Sequence, residues 1–301
     1  MKQHDRLDIF ATLAMVALTA SWGFQQVAIK VTNNAVSPAF QSGLRCAGAF
    51  LLLLFWCYLR GIKLFERDGT LVPGLVVGFL FASEFAFIYW ALVYTDVARS
   101  ILFLYASPFV VAIGAHFLLP NERMGIAQVL GLLCAFGGLV LAVRDGLSLP
   151  SKTALIGDMM MLVAAVLWAV TTLIIKKTTL AKIHPAKTLA YQLGFTALFV
   201  PGALLVGETG ITHFDGLVAA SLAYQIVIVA FASYLAWFAL VRTYPASTLS
   251  VFTFLSPLFA MLSGAYFLNE QVGPILWIAL VLVAFGIWLV NRPRSRASAA
   301  A

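Results

Sequence analysis

Long apolar runs separated by short polar or Gly- and Pro-bearing gaps fill the chain from residue 9 to residue 291. A helix needs about 20 mostly apolar residues to cross a bilayer. The gaps divide the sequence into ten such segments: 9–30, 38–59, 71–94, 97–118, 125–143, 155–176, 187–207, 217–241, 246–268 and 273–291. These spans take up nearly all of the chain, and most connections are very short. The pattern therefore predicts an all-α membrane protein whose function lies inside the bundle. The first span is too long for a cleavable signal peptide, carries Gln25, Gln26 and Lys30 near its end, and leads directly into a second span.

Composition agrees with lipid as the solvent. Of 301 residues, 62% are hydrophobic and 10% charged, against roughly half and a quarter in soluble domains. This excludes nucleic-acid binders, soluble dehydrogenases and secreted disulfide scaffolds. Cys46, Cys57 and Cys134 are odd in number and lack disulfide or metal-ligand spacing. The net charge of +7 is mainly a topology signal. With ten spans both termini share a face, and the segments there carry fourteen Lys and Arg, against four on the other face (Lys30, Arg99, Arg144 and Lys152). The positive-inside rule then predicts cytoplasmic termini, with 292–301 as a basic cytoplasmic tail that anchors and orients the chain.

A repeat organises the spans. Tyr89-Trp90-Ala91-Leu92-Val93-Tyr94-Thr95 returns as Trp237-Phe238-Ala239-Leu240-Val241-Arg242-Thr243, at an offset of 148. The same offset relates Asn121-Glu122 to Asn269-Glu270 and Gly138 to Gly286, and Ser107-Pro108 matches Ser256-Pro257 with one residue of slippage. Trp22 and Lys30 are spaced like Trp168 and Lys176. Residues 1–145 and 155–291 are thus expected to be two five-span copies. Five is odd, so the second copy enters the membrane from the opposite face. Inverted repeats of this kind place a substrate site near the midplane, between copies that rock against each other.

Trp22-Gly23-Phe24 with Ala28-Ile29-Lys30, Arg45 early in span 2, the two Ser-Pro steps and the Leu118-to-Glu122 pattern closing span 4 resemble the drug/metabolite transporter superfamily, specifically its EamA-type ten-helix members. The likeness covers residues 9–291. It implies a central cavity lined by spans 1, 3, 4, 6, 8 and 9, and export of amino acids or related metabolites. Trp22, Tyr105 and Trp168 are similar to the aromatic amino acid exporters, which tend to carry Trp before the span-4 proline where this chain has Ser107.

Glu84 is the one acidic residue near the middle of a span. A carboxylate there costs on the order of 2.5–3.5 kcal/mol, and its helical neighbours Leu80, Phe81, Phe87 and Ile88 cannot neutralise it. It is expected to face the cavity as a proton carrier or as the counter-charge to a substrate amine; the alternative is a buried Glu held by donors from another helix. Trp22, Gln25, Gln26 and Trp168 are the leading cavity candidates, the tryptophans stacking on a flat substrate with the indole N–H available. Tyr105, three residues before Pro108, joins them as a substrate-binding candidate, with Tyr89, Tyr234, Trp237, Tyr224 and Gln225 as weaker ones. Pro108 and Pro257 each remove a mid-helix hydrogen bond and are expected to kink spans 4 and 9, either as gates or as purely structural kinks.

Other polar residues have structural readings. Arg45 is expected to snorkel outward or clamp a carboxylate, Asp158 to cap span 6, His116 to sit at the interface, and Glu122 and Glu270 to cap spans 5 and 10. Trp56 and Trp288 fit a membrane-interface belt. Gly131, Gly137, Gly138 and Gly286 permit close helix packing or dimer contacts. No nucleotide-hydrolysis motif or cluster of metal ligands occurs, so no cofactor or metal is expected. A membrane enzyme is disfavoured because Glu84 and His116 fall on different spans at different depths. The reading is a secondary transporter of the inner or plasma membrane, monomeric or homodimeric, that takes amino acids or related metabolites, with apolar or cationic drug-like compounds as the alternative.

Overall fold

The structure, a computed structural model, describes residues 7–64, 66, 68–95, 97–119, 122–144, 151–268 and 273–292. It is helical almost throughout. Span 1 is α1 (Ile9–Asn33), span 2 is α2 (Pro38–Leu59) and span 3 is α3 (Leu71–Tyr94). Span 4 is broken into α4 (Val97–Leu104) and α5 (Ser107–Leu118); α6 (Ile126–Val143) completes the first five. In the second five, α7 (Lys152–Lys177) is followed by α8 (Pro185–Ala197) and α9 (Phe199–Leu205). Span 8 runs through α10 (Gly216–Tyr224), a π-helical stretch (Gln225–Ser233) and α11 (Tyr234–Thr243). Span 9 is α12 (Ala246–Phe252) with α13 (Leu255–Leu268), and span 10 is α14 (Ile275–Val290). Among the described residues, nine helical spans are long and apolar enough to cross a membrane by themselves; α14 is apolar but only 16 residues long.

Local chemistry sets the helix ends. Asp8, Ser151 and Asp215 cap α1, α7 and α10 through side-chain oxygens that accept the N–H of Ala11, Ala154 and Val218. Pro38 and Pro185 open α2 and α8, where a missing N–H costs nothing. The breaks in spans 4 and 9 follow from proline geometry. A proline ring collides with the carbonyl four residues earlier; α4 ends at Leu104, four before Pro108, and Thr253, four before Pro257, follows the end of α12.

The two copies interlock. Spans 1 and 9 pack together, as do their counterparts, spans 6 and 4; span 3 packs on spans 6 and 7, and span 8 on spans 1 and 2. Spans 2 and 7 pair with each other, as do spans 5 and 10, so the large contacts join the copies rather than the helices within one. At the α6–α14 crossing a Cβ on Gly131 would fall 2.6 Å from the Gly286 carbonyl oxygen. Gly137 faces open space instead and makes no such approach.

Leu7 N–H donates to Asn291 Oδ1 at 3.1 Å, which brings the two ends of the described chain to one face, here the terminal face. Large apolar side chains such as Phe10, Leu51, Phe79, Phe117, Trp277 and Val281 are exposed around the bundle. That distribution suits a protein whose periphery meets lipid.

Candidate functional site

A cavity of about 200 Å³ opens between the copies, lined by residues of spans 1, 3, 4, 6, 7, 8 and 9. Trp22, Gln25, Gln26, Glu84, Tyr105, Trp168, Tyr234 and Trp237 all line it. The structure thus brings eight of the nine substrate-binding candidates to one place; the Tyr89 side chain lies outside the described residues. Pro108 and Pro257 do not line the cavity, but the breaks they cause place Tyr105, Ser107 and Thr253 in its wall.

An aromatic cluster forms one side. Trp237 stacks on Trp168 with ring centroids 5.8 Å apart and meets Trp22 edge-on at 5.7 Å. Tyr234 contacts Trp22 and Phe81, and Phe81 contacts Phe85. Two details differ from the expectation. The Trp22 Nε1–H donates to Ser233 Oγ at 2.8 Å, so this indole N–H is already used. Trp168 has one face covered by Trp237, so Trp237, ranked low from sequence, is the hub of the cluster.

Glu84 supplies the charge. It is 5% exposed, and its Oε2 accepts no hydrogen bond within the described structure. A buried carboxylate oxygen without a donor is unfavourable, and here it belongs to a residue that lines a cavity. Gln192 Oε1 and Thr171 Oγ1, also on lining residues, are likewise buried and unpartnered. Among the described lining residues there is no Lys, Arg or His. Sequence reasoning missed Gln192, Thr171, Phe81 and Phe85. The amide inside span 7 carried the same signal that selected Gln25, whereas the Thr and Phe positions carried none.

Other candidates lie elsewhere. Arg45 does not snorkel: it is 1% exposed, with its guanidinium carbon 5.2 Å from the centroid of Phe85, a cavity-lining ring. Asp158 is not the cap of span 6, which is Ser151; it accepts from Thr95 Oγ1 at 2.7 Å and pairs with Arg99, at the end of the bundle away from the terminal face. His116 Nδ1 accepts the Met124 N–H. Trp288 is half exposed beneath the Arg292 guanidinium, while Trp56 packs on His184 and Phe231. Tyr224 donates to the Ser21 carbonyl, and Gln225 is buried between Gln41 and Thr32. Glu270 lies outside the described residues.

Glu122 has a role that sequence did not suggest. It accepts the N–H of Ala246 at 2.7 Å, so it caps α12 rather than the helix that follows it in sequence. It also pairs with Lys176 at 2.8 Å, both side chains being 2% exposed, and Lys176 donates to the Tyr244 carbonyl. Lys176 lies eight residues beyond Trp168 on α7, about 12 Å along the helix. An ion pair that joins the copies thus lies on the terminal side of the cavity.

The EamA-like transporter family model matches residues 9–144 and 155–292. The chain belongs to that family. Its relatives include an uncharacterized transporter of Archaeoglobus fulgidus, 28% identical over 93% of this chain and 97% of that protein. A probable amino-acid metabolite efflux pump of Escherichia coli is 24% identical, over 89% of this chain and 90% of that one. A protein of known crystal structure superimposes with a TM-score of 0.80 at 22% identity, over 93% and 96% of the two chains, and so shares the fold. The chain is an integral membrane transporter, not an enzyme.

Proposed function

We propose that this EamA-like transporter exports amino acids or related small metabolites by alternating access, the two copies rocking about the cavity between them. The observation that carries this reading is the buried, unpartnered Glu84 carboxylate oxygen in a cavity walled by aromatics from both copies. Glu84 would bind a substrate amine or exchange it for a proton. Trp22, Gln25, Gln26, Tyr89, Tyr105, Trp168, Tyr234 and Trp237 would hold the substrate body, and the breaks at Pro108 and Pro257 would flex as gates. The basic terminal face would lie in the cytoplasm, the Glu122–Lys176 pair closing the cytoplasmic side.

The lack of a cationic side chain among the described lining residues favours a second reading, efflux of apolar cationic compounds. A zwitterionic amino acid would find no counter-charge there for its carboxylate. Uptake of labelled amino acids and cationic dyes into proteoliposomes, with and without a pH gradient, separates the two. Amino-acid flux is expected, and dye transport alone would install the second reading. Glu84→Gln is expected to lower flux about tenfold or more with insertion intact; wild-type flux in that variant would remove Glu84 from the mechanism.

A further inference from the structure

A second and larger cavity, about 640 Å³, lies on the lipid-facing side of the bundle near the terminal face. Its walls are Phe50 and Leu54 of α2, Leu75 of α3, Tyr191 and Phe195 of α8, and Leu198. It exists because α2 and α3 both pack along α8 while barely touching each other. α3 is held to α8 at Gly74, where a Cβ would fall 2.2 Å from the Tyr191 ring. Gly194 lies on the groove wall, and a Cβ there would have the Phe50 ring at 3.7 Å as its nearest neighbour, so this part of the wall is open.

The groove is chemically two-ended. At the terminal face Lys187, 4% exposed, donates to Asp68 at 2.8 Å and to the Glu66 carbonyl at 3.0 Å. Beside it the exposed Lys63 pairs with the Glu66 carboxylate at 3.1 Å. The far end is the bare hydrocarbon of Leu198. From Lys187 to Leu198 the helical rise is about 16 Å, half of a hydrocarbon core of about 30 Å. An amphiphile of one-leaflet length fits this geometry, and the rim specifies its head. Among the described residues each rim lysine already has a carboxylate beside it, so a headgroup carrying a single charge would leave one member of a pair facing a like charge. A headgroup with a phosphate and an ammonium matches both members.

We infer that this groove binds one membrane phospholipid with a zwitterionic phosphate–ammonium headgroup, an acyl chain lying along α8 and the headgroup set against the Lys63–Glu66 and Lys187–Asp68 pairs. The phosphate oxygens accept from Lys63, and the ammonium donates to the Glu66 carboxylate. On the alternating-access reading proposed above, the lipid wedges the seam along which the copies move, because α2 and α3 belong to one copy and α8 to the other. It shifts the balance between their arrangements by whatever difference in affinity they show for it.

The test is native mass spectrometry of the full-length, lipid-stripped protein titrated with phosphatidylethanolamine or with phosphatidylglycerol of the same chains. One phosphatidylethanolamine is expected to bind about tenfold more tightly than phosphatidylglycerol. Gly194→Phe puts a ring into the groove and is expected to weaken that binding by about tenfold with an unchanged thermal melt. Leu75→Trp, at a lipid-facing position, is expected to do the same and decides the matter if Gly194→Phe does not fold. Glu66→Lys is expected to reverse the headgroup preference. Equal affinity for the two lipids, a preference unchanged in Glu66→Lys, or undiminished binding in the folded groove variants would overturn the inference.

Discussion

The Glu122–Lys176 pair shows what single residues contribute to this bundle. Both groups are almost fully buried, and Glu122 also caps α12, so the carboxylate is shared between an ammonium and a helix N-terminus. A buried pair adds little net stability, but removing one partner leaves a charge without compensation, at about 3–5 kcal/mol. Lys176→Met alone is therefore expected to lower the melting temperature sharply, and Lys176→Met with Glu122→Gln to recover part of the loss. A double variant no more stable than the single one would show that the pairing carries no weight. Sequence spacing linked Lys176 to Lys30 and Glu122 to Glu270, yet it did not join Lys176 to Glu122, because they sit on different spans and only the packing of α5, α7 and α12 brings them together.

Helices in this chain are located by their own sequence and adjusted by their neighbours. The ten apolar segments were legible because each must satisfy its backbone within lipid, and the breaks at Pro108 and Pro257 were legible because a proline disrupts its own helix. The close approach of α6 and α14 follows from Gly131 and Gly286. Gly286→Val is expected to force the crossing apart and cost about 1–3 kcal/mol, whereas Gly137→Val, which meets nothing within 4 Å, is expected to be near neutral. A thermal melt of both variants checks this contrast, which equal losses would refute. The connection before α3 is held by charge. Hydrogen bonds from Lys187 and Thr70 pull the Asp68 carboxyl down to about 2, below its ordinary 3.8. The lowered value means that the tether is complete above pH 4 and is lost as the pH falls toward 2. Hydrogen-exchange protection at residues 68–70, taken relative to the intrinsic rate at each pH, should hold at pH 5 and fall between pH 4 and pH 2; no protection at pH 5 would contradict the tether.

For the whole molecule, inverted duplication is the governing fact. Equivalent pairings recur, span 1 with 9 and 6 with 4, so the copies present each other with the same surfaces from opposite faces of the membrane. The orientation that the basic residues imply can be tested directly. In a chain whose native cysteines are replaced, Lys63→Cys and His213→Cys, both at exposed positions, are expected to react with an impermeant thiol reagent from opposite sides of sealed cells, only His213→Cys labelling from outside. Labelling of Lys63→Cys alone would reverse the orientation.

The sequence by itself determined the solvent, the spans, their breaks and the duplication, because lipid makes each helix answer for its own hydrogen bonds and apolar length. It also picked out Glu84, since a lone mid-span carboxylate needs a reason to be there. Tertiary structure decided which faces meet. It took the Trp22 indole N–H for Ser233, made Trp237 the centre of the aromatic wall, buried Arg45 behind Phe85, and turned Glu122 from an expected local cap into a bridge between the copies. Those outcomes depend on which helix lies opposite, and in a bundle where almost every side is apolar, hydrophobic periodicity carries too little contrast to say so.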